Sequence, residues 1–180
     1  MTSIDDNASR ELSSEEGVVA SMHVHPPVPG SPLLNLEVLE LVEGKGIRQD
    51  TRYFNRKSRS SGQPSKRQVT IIAREQIQEH SAELGIAPLD AGVVRSNIEI
   101  TGVHLERWLG CEVEMGQARV LIHELRTPCP KMDAIHPGLQ QNMKNGRQGV
   151  LAQVVKSGVV RVGDPIRKLS RSIDYASPKH

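Results

Sequence analysis

One thiol in this chain lies between two prolines, in the run Arg126-Thr127-Pro128-Cys129-Pro130-Lys131-Met132-Asp133. Both prolines fix φ and neither donates a backbone N–H. Each also pushes the residue before it, Thr127 and Cys129, towards extended geometry. The expected result is a stiff, extended loop presenting one sulfur. Arg126 and Lys131 flank it, and nearby positive charge favours the thiolate, the form that ligates metals and attacks electrophiles. The alternative for Cys129 is a small apolar side chain in a buried turn, because free cysteine is among the most buried residue types.

A second stretch carries chemistry of another kind. Lys45, Arg48, Arg52, Arg56, Lys57, Arg59, Lys66 and Arg67 stand against Asp50 alone, in a segment rich in serine with Gly62 and Pro64. A basic loop of this kind is a ready anion site, since arginine grips phosphate bidentately and lysine acts as a point charge. Tyr53 and Phe54 are two of the chain's four aromatics of the Phe, Trp and Tyr type, so stacking on a planar ring is possible. The alternative is a solvated basic loop without a ligand. His23 and His25 form an HxH pair, but no third ligand follows at a useful spacing, so an exposed tail segment is the expectation there.

The elements that must position these residues follow from composition and periodicity. With 180 residues and 37% hydrophobic content, the expectation is one domain with a tail. One Trp, two Tyr and one Phe leave the core to Val, Ile and Leu, which favours strands. Two cysteines make no disulfide framework, and no zinc-ligand spacing occurs. No apolar run is long enough to cross a membrane. Residues Met1 to Gly17 are polar and acidic with no apolar h-region, so a cytoplasmic setting is expected.

Residues 1–30 read as a flexible tail and proline-rich linker with a short extended piece at Val18–Ala20. A domain follows over 31–170, and 171–180 is a second tail within a loose end from Lys168. Leu34, Leu36 and Val38 alternate as a strand whose phase slips at Leu39, as a bulge or a strand bent between two faces would cause. Strands are expected at Gln68–Ala73, around Ile98 and Ile100, at Cys111–Met115 and at Ala118–Leu125. Helical segments are expected at Arg74–Leu84, His104–Leu109 and Gly138–Lys144. Cys111 is expected as a packed strand-edge side chain. Val150–Val154 and Val159–Val162 are expected to form a hairpin through Ser157-Gly158. Many short strands with glycine turns give a mainly β class with short helices, α+β, built on a barrel.

The order and spacing of four motifs resemble the MOSC domain, named for the C-terminal part of molybdenum cofactor sulfurases. The resemblance spans roughly Leu33 to Leu169. Gly44-Lys45-Gly46-Ile47-Arg48-Gln49-Asp50 is similar to the family's glycine-rich turn ending in Gly-Asp. Arg67-Gln68-Val69-Thr70 is similar to its Arg-Gln-Val strand start. Arg95-Ser96-Asn97-Ile98 with Gly102 is similar to its Arg-x-Asn-Ile motif. Pro128-Cys129 with Lys131, Gly146 to Val150 and Val162-Gly163-Asp164 are similar to its cysteine loop and closing hairpin. Gln49 stands where the family has Gly, Tyr53 where His is common, and the basic stretch before Arg67 is longer than usual.

The resemblance implies a MOSC-type β-barrel whose single cysteine carries sulfur or ligates molybdenum. Members resembling the amidoxime-reducing enzymes hold molybdopterin through that thiolate and reduce N-hydroxylated substrates. Carried over, Cys129 would be the metal ligand or persulfide carrier and the catalytic cysteine. Arg95 and Asn97 would line the pocket. Arg48, Arg52, Lys66, Arg67 and Lys131 would serve the cofactor's phosphate and pterin. A soft thiolate suits such a metal and a basic loop suits a phosphate. Three functions follow. The first is a molybdenum-cofactor oxidoreductase acting on N-oxygenated compounds, served by an electron-donor protein. The second is a persulfide carrier served by a cysteine desulfurase. The third, least favoured, is a nucleic-acid module using the basic loop.

Overall fold

The computed structural model describes residues 15–171, with side chains through 169. The outer ends of the two expected tails lie outside this range. Seven strands close into a barrel: β1 (Glu16–Val24), β5 (Val69–Ala73), β6 (Ile98–Thr101), β7 (Cys111–Met115), β8 (Ala118–Leu125), β9 (Val150–Lys156) and β11 (Pro165–Arg171). Their order is β11-β7-β8-β9-β5-β6-β1, and the pairing of β11 with β1 closes the ring. β2 (Leu34–Asn35) extends β1, while β3 (Val38–Val42), β4 (Gly46–Ile47) and β10 (Gly158–Arg161) form a separate sheet in the order β10-β3-β4. The class is mainly β, with two short α-helices among the described residues, as the sequence indicated.

The strand faces explain the closure. Along β8, Ala118, Val120 and Ile122 are buried while their neighbours are more exposed, the period-two signature of a sheet with one face on a core. Ile71, Ile98, Ile100, Val113 and Val154 supply the other walls. The barrel pairs are antiparallel except β5 with β6. Parallel neighbours need a crossover, and α1 (Arg74–Glu83) lies in it. A second apolar cluster lies against α1 and α2 (Leu139–Asn142): Ile72, Ile77, Val94, Met132, Leu139 and Met143. Met132, 1% exposed, anchors the segment after Cys129 into it.

Gly149 shows how tightly the β9 entry is packed. Its φ is +73°, and a Cβ there would lie 2.1 Å from the Ile71 carbonyl oxygen and 2.9 Å from Ile72 Cα. Gly149→Ala is expected to cost about 3 kcal/mol or more in urea unfolding, because backbone on the neighbouring strand must move as well as φ.

Several sequence expectations are corrected. The barrel begins at Glu16, inside the stretch 1–30 expected to be a tail. Val19, Met22 and Val24 face the core, and Met22 and Val24 reach it because the pairing with β6 shifts register between Val19 and Ser21. That irregularity hides the strand from a strict alternation test. His23 and His25, expected on an exposed tail, are consequently buried. The hairpin expected through Ser157-Gly158 does not form. Both edges of β9 are already occupied, by β8 and β5, so β10 turns away and pairs with β3. Lys168 belongs to β11, paired with Val113. The expected phase slip near Leu39 is a break between β2 and β3. Among the described residues, no helix is long and apolar enough to cross a membrane.

Candidate functional site

A cavity of about 410 Å³ opens where the ends of β1, β5 and β8 meet the loops before β6 and β9. Cys129 lines it and is solvent-exposed. Its backbone is extended, with φ −105° and ψ 164°, and Pro130 opens a short 3-10 turn through Met132. The Met132 N–H donates to the Cys129 carbonyl at 3.0 Å. Of the two settings the sequence left open for this thiol, the presented loop is the one observed.

Arg126 follows the end of β8 and reaches the same cavity. Its Nη1 donates to Ser96 Oγ at 2.9 Å and its Nη2 to the Arg95 carbonyl at 3.2 Å. No carboxylate pairs with it among the described residues. Burial pulls its pKa down to about 10, and the charges of Arg67 and Arg95 push the same way, while negative charge on Cys129 or Tyr53 opposes the shift. A guanidinium desolvated among other cations favours an anion that replaces the lost water. Arg126→Met is expected to weaken inorganic phosphate binding by the metal-free protein about tenfold, read by calorimetry at low salt, because a charge-assisted donor pair is removed.

The wall opposite is organised by Asp50, 2% exposed. His25 Nδ1–H donates to its Oδ2 at 2.8 Å and Asn97 Nδ2 at 3.1 Å, with the His25 N–H at 3.3 Å. Its Oδ1 accepts from the N–H groups of Arg52 and Tyr53 at 3.3 and 3.2 Å. Burial alone would raise this carboxyl's pKa, but hydrogen bonds from His25 and Asn97 and the His25 charge bring it below 3.8. The bonds fix the turn that carries Tyr53, whose ring meets His25 edge-on at 4.6 Å and has Arg52 and Arg56 beside it. Asn97 completes the tie. Its Oδ1 accepts from the Thr70 N–H and hydroxyl, at 3.1 and 2.9 Å, so one side chain joins β5, β1 and the Asp50 turn.

Of the residues singled out from sequence, Cys129, Lys131, Arg67, Arg95 and Asn97 converge on the cavity. Arg95 holds φ at +59°, a left-handed conformation uncommon outside glycine, and its Nη1 donates to the Ser31 carbonyl. Arg48, Arg52 and Lys66 do not line the cavity. Arg48 pairs with Glu40 at 2.7 Å, Arg52 sits by the Tyr53 ring, and Lys66 is exposed, its carbonyl accepting from His123. Basic residues alternate in direction along an irregular loop, and charge alone does not say which turn inward. Arg56, Lys57 and Arg59 do line the cavity. They belong to a folded-back segment held by the Lys57–Pro64 bridge and the Ser58–Gln63 and Ser65–Arg56 backbone bonds.

Sequence reasoning missed His25 and Gln148 as cavity residues. Gln148 is 1% exposed and its Oε1 has no hydrogen-bond partner among the described residues. It lies within the Gly146–Val150 motif, but nothing in its residue type marks it as a cavity residue. His25 carried a signal, the HxH pair, that was misread because β1 was not recognised as running so far. Among the described residues the lining therefore holds one soft thiol and seven cations, Arg56, Lys57, Arg59, Arg67, Arg95, Arg126 and Lys131, with no Asp or Glu.

Known proteins share this fold. Over 87% of its length the chain superposes on the YuaD protein from Bacillus subtilis, covering 97% of that chain with a TM-score of 0.71 at 17% identity. It superposes on YiiM from Geobacillus stearothermophilus over 89% of its length and 79% of that chain, with a TM-score of 0.66 at 19% identity. For YiiM from Escherichia coli the shares are 91% and 72%, with a TM-score of 0.61 at 19% identity. At these identities the likeness concerns the fold. No curated protein matches the chain in sequence. The model of the MOSC domain matches residues 50–167, more than half of the chain and all of the cavity except His25. The protein belongs to the MOSC domain family.

Proposed function

We propose that this MOSC-domain protein binds the molybdenum cofactor through the Cys129 thiolate and reduces N-oxygenated compounds. The observation that carries the reading is one exposed thiol sharing a cavity with seven cations and, among the described residues, no carboxylate. The residues fit the group. A thiolate is a suitable soft ligand. Arg67 and Arg126 suit a phosphate, and the unpartnered Gln148 Oε1 suits an N–H donor of a pterin. Among the described residues no three His, Cys, Asp or Glu side chains cluster as a metal site. A metal here would take Cys129 from the protein and its remaining ligands from the cofactor itself.

When bound, the cofactor would supply the electrons that reduce the N–O bond. The protein's part is to orient ligand and substrate, and an electron-donor protein completes the cycle. The basic segment folds back over this same cavity, which favours a small anionic ligand over a nucleic acid. A second reading has one observation in its favour. Cys111, the other cysteine, lies half-buried on β7 beside the core and does not line the cavity, so a Cys129 persulfide would have no resolving thiol within it. That suits a sulfur carrier fed by a cysteine desulfurase.

Metal analysis of freshly purified protein separates the two. Molybdenum near about one equivalent, together with amidoxime reduction by added reductant, is expected for the enzyme. No molybdenum, with a mass gain of about one sulfur on Cys129 after incubation with a desulfurase, would replace that reading with the carrier.

A further inference from the structure

We infer that His25 is the proton donor of the cavity, delivering a proton from Nε2 to the oxygen that leaves when the substrate's N–O bond breaks. The inference rests on the reductase reading and adds a residue that the cysteine-loop and arginine motifs do not include.

Three observations carry it. First, the imidazole is oriented. Nδ1–H is committed to Asp50 Oδ2 at 2.8 Å, and Asp50 is itself fixed by Asn97 and by backbone N–H groups. This is the arrangement in which a carboxylate sets the tautomer of a histidine and supports its cationic form. Second, the other ring nitrogen is open. Nε2 has no hydrogen-bond partner among the described residues, and His25 lines the cavity that holds Cys129. Its neighbour His23 is the contrast. His23 Nδ1 bonds the Ser96 carbonyl, and its Nε2 is sealed and unpartnered. Third, among the described residues the cavity is lined by no carboxyl group and no second histidine. Its remaining hydrogen donors are cations of high proton affinity, a phenol, hydroxyls, amides and the thiol. Histidine is the side chain that exchanges a proton near neutral pH.

The balance closes. A hydroxylamine-type substrate takes two electrons and two protons and yields the N–H compound and water. The N–O bond breaks, and one N–H and one O–H bond form. The electrons come from the electron-donor protein. One proton comes from His25 Nε2 and one from solvent, and solvent then reprotonates the imidazole. The charged groups around His25 are Asp50 and Arg52 on the adjoining turn, with Tyr53 against the ring. Arg95 lies on the segment before β6. Across the cavity are Arg56, Lys57, Arg59, Arg67, Arg126, Lys131 and Cys129.

His25→Asn tests this, because the asparagine Nδ2 can keep the bond to Asp50 while the second nitrogen is lost. In molybdenum-loaded protein, with benzamidoxime as substrate and reduced methyl viologen as reductant, kcat at pH 7 is expected to fall about 100-fold. Molybdenum content and Tm should stay at the wild-type level, and the wild-type loss of kcat at high pH should disappear. In metal-free protein, nitrogen NMR should find neutral His25 as the Nδ1–H tautomer. Retention of kcat within about threefold, a fall of kcat that only tracks lost molybdenum, or the opposite tautomer overturns the inference. Wild-type protein without molybdenum or turnover overturns the reductase reading and this role with it, an outcome visible before any variant is made.

Discussion

Cys129→Ser is expected to lower molybdenum content at least about tenfold while changing unfolding stability by no more than about 0.5 kcal/mol. The two halves of this result have separate causes. The thiol is exposed, and nothing in the core rests on it. Its loop is held instead by Pro128, by the Met132 N–H on the Cys129 carbonyl and by Met132 in the cluster under α1 and α2. Serine leaves all of these in place. Its hydroxyl, however, stays protonated at neutral pH, and serine thereby loses the soft, anionic donor that the proposed site relies on. Cys111→Ser is the control. That residue packs at the barrel wall from β7, so its replacement should cost about 1 kcal/mol and leave metal content unchanged. Metal analysis beside urea unfolding reads both variants. Equal molybdenum in Cys129→Ser and wild type would remove the thiol from the site.

Asp50→Ala is expected to have the opposite profile, a loss of roughly 3 kcal/mol or more together with a disordered cavity wall. Asp50 accepts five hydrogen bonds, from the His25 N–H and ring, Asn97 and the N–H groups of Arg52 and Tyr53. Removing it leaves the His25 ring and backbone N–H groups and the Arg52 N–H without these partners, while Asn97 keeps the His23 carbonyl and the Tyr53 N–H keeps the Asp50 carbonyl, and the cost is the desolvation of the donors left over. Hydrogen exchange should rise at the amides of Arg52 and Tyr53 first. The milder Asp50→Asn carries a pH signature. The carboxyl's pKa lies below 3.8 in the folded protein, so its ionisation favours folding. That contribution is fully present above the unfolded value near 3.8 and is lost as pH falls through the lower folded value. The stability gap between wild type and Asp50→Asn should therefore shrink below about pH 4. A gap that stays constant down to pH 2 would mean that the charge contributes nothing.

These two residues also show how unevenly the sequence disclosed the molecule. Cys129 was legible because its constraint is local. Two prolines dictate the backbone around one sulfur, whatever the rest of the chain does. The helix at Arg74–Glu83 and the strands Cys111–Met115 and Ala118–Leu125 were legible for a similar reason, since hydrophobic period and glycine turns coincide there. Residues Glu16–Val24 were obscured by polar neighbours and by the register shift that puts Val19 and Met22 on one core. The turn at Ser157-Gly158 suggested a hairpin because local chemistry cannot show that both edges of a strand are already taken.

Within the cavity the division follows the same line. Residue types and motif order determined, without coordinates, that one thiol and a set of arginines belong to a single family pattern. Which arginines serve the cavity was settled only by the fold, with Arg67, Arg95 and Arg126 lining it and Arg48 turned away onto Glu40. The fold also brought His25, Asp50 and Asn97 together, from positions 25, 50 and 97, into one bonded group. Backbone restraint and periodicity are short-range and can be read along the chain. Burial, charge pairing and the direction of a side chain depend on which distant strands become neighbours, and barrel closure decides that.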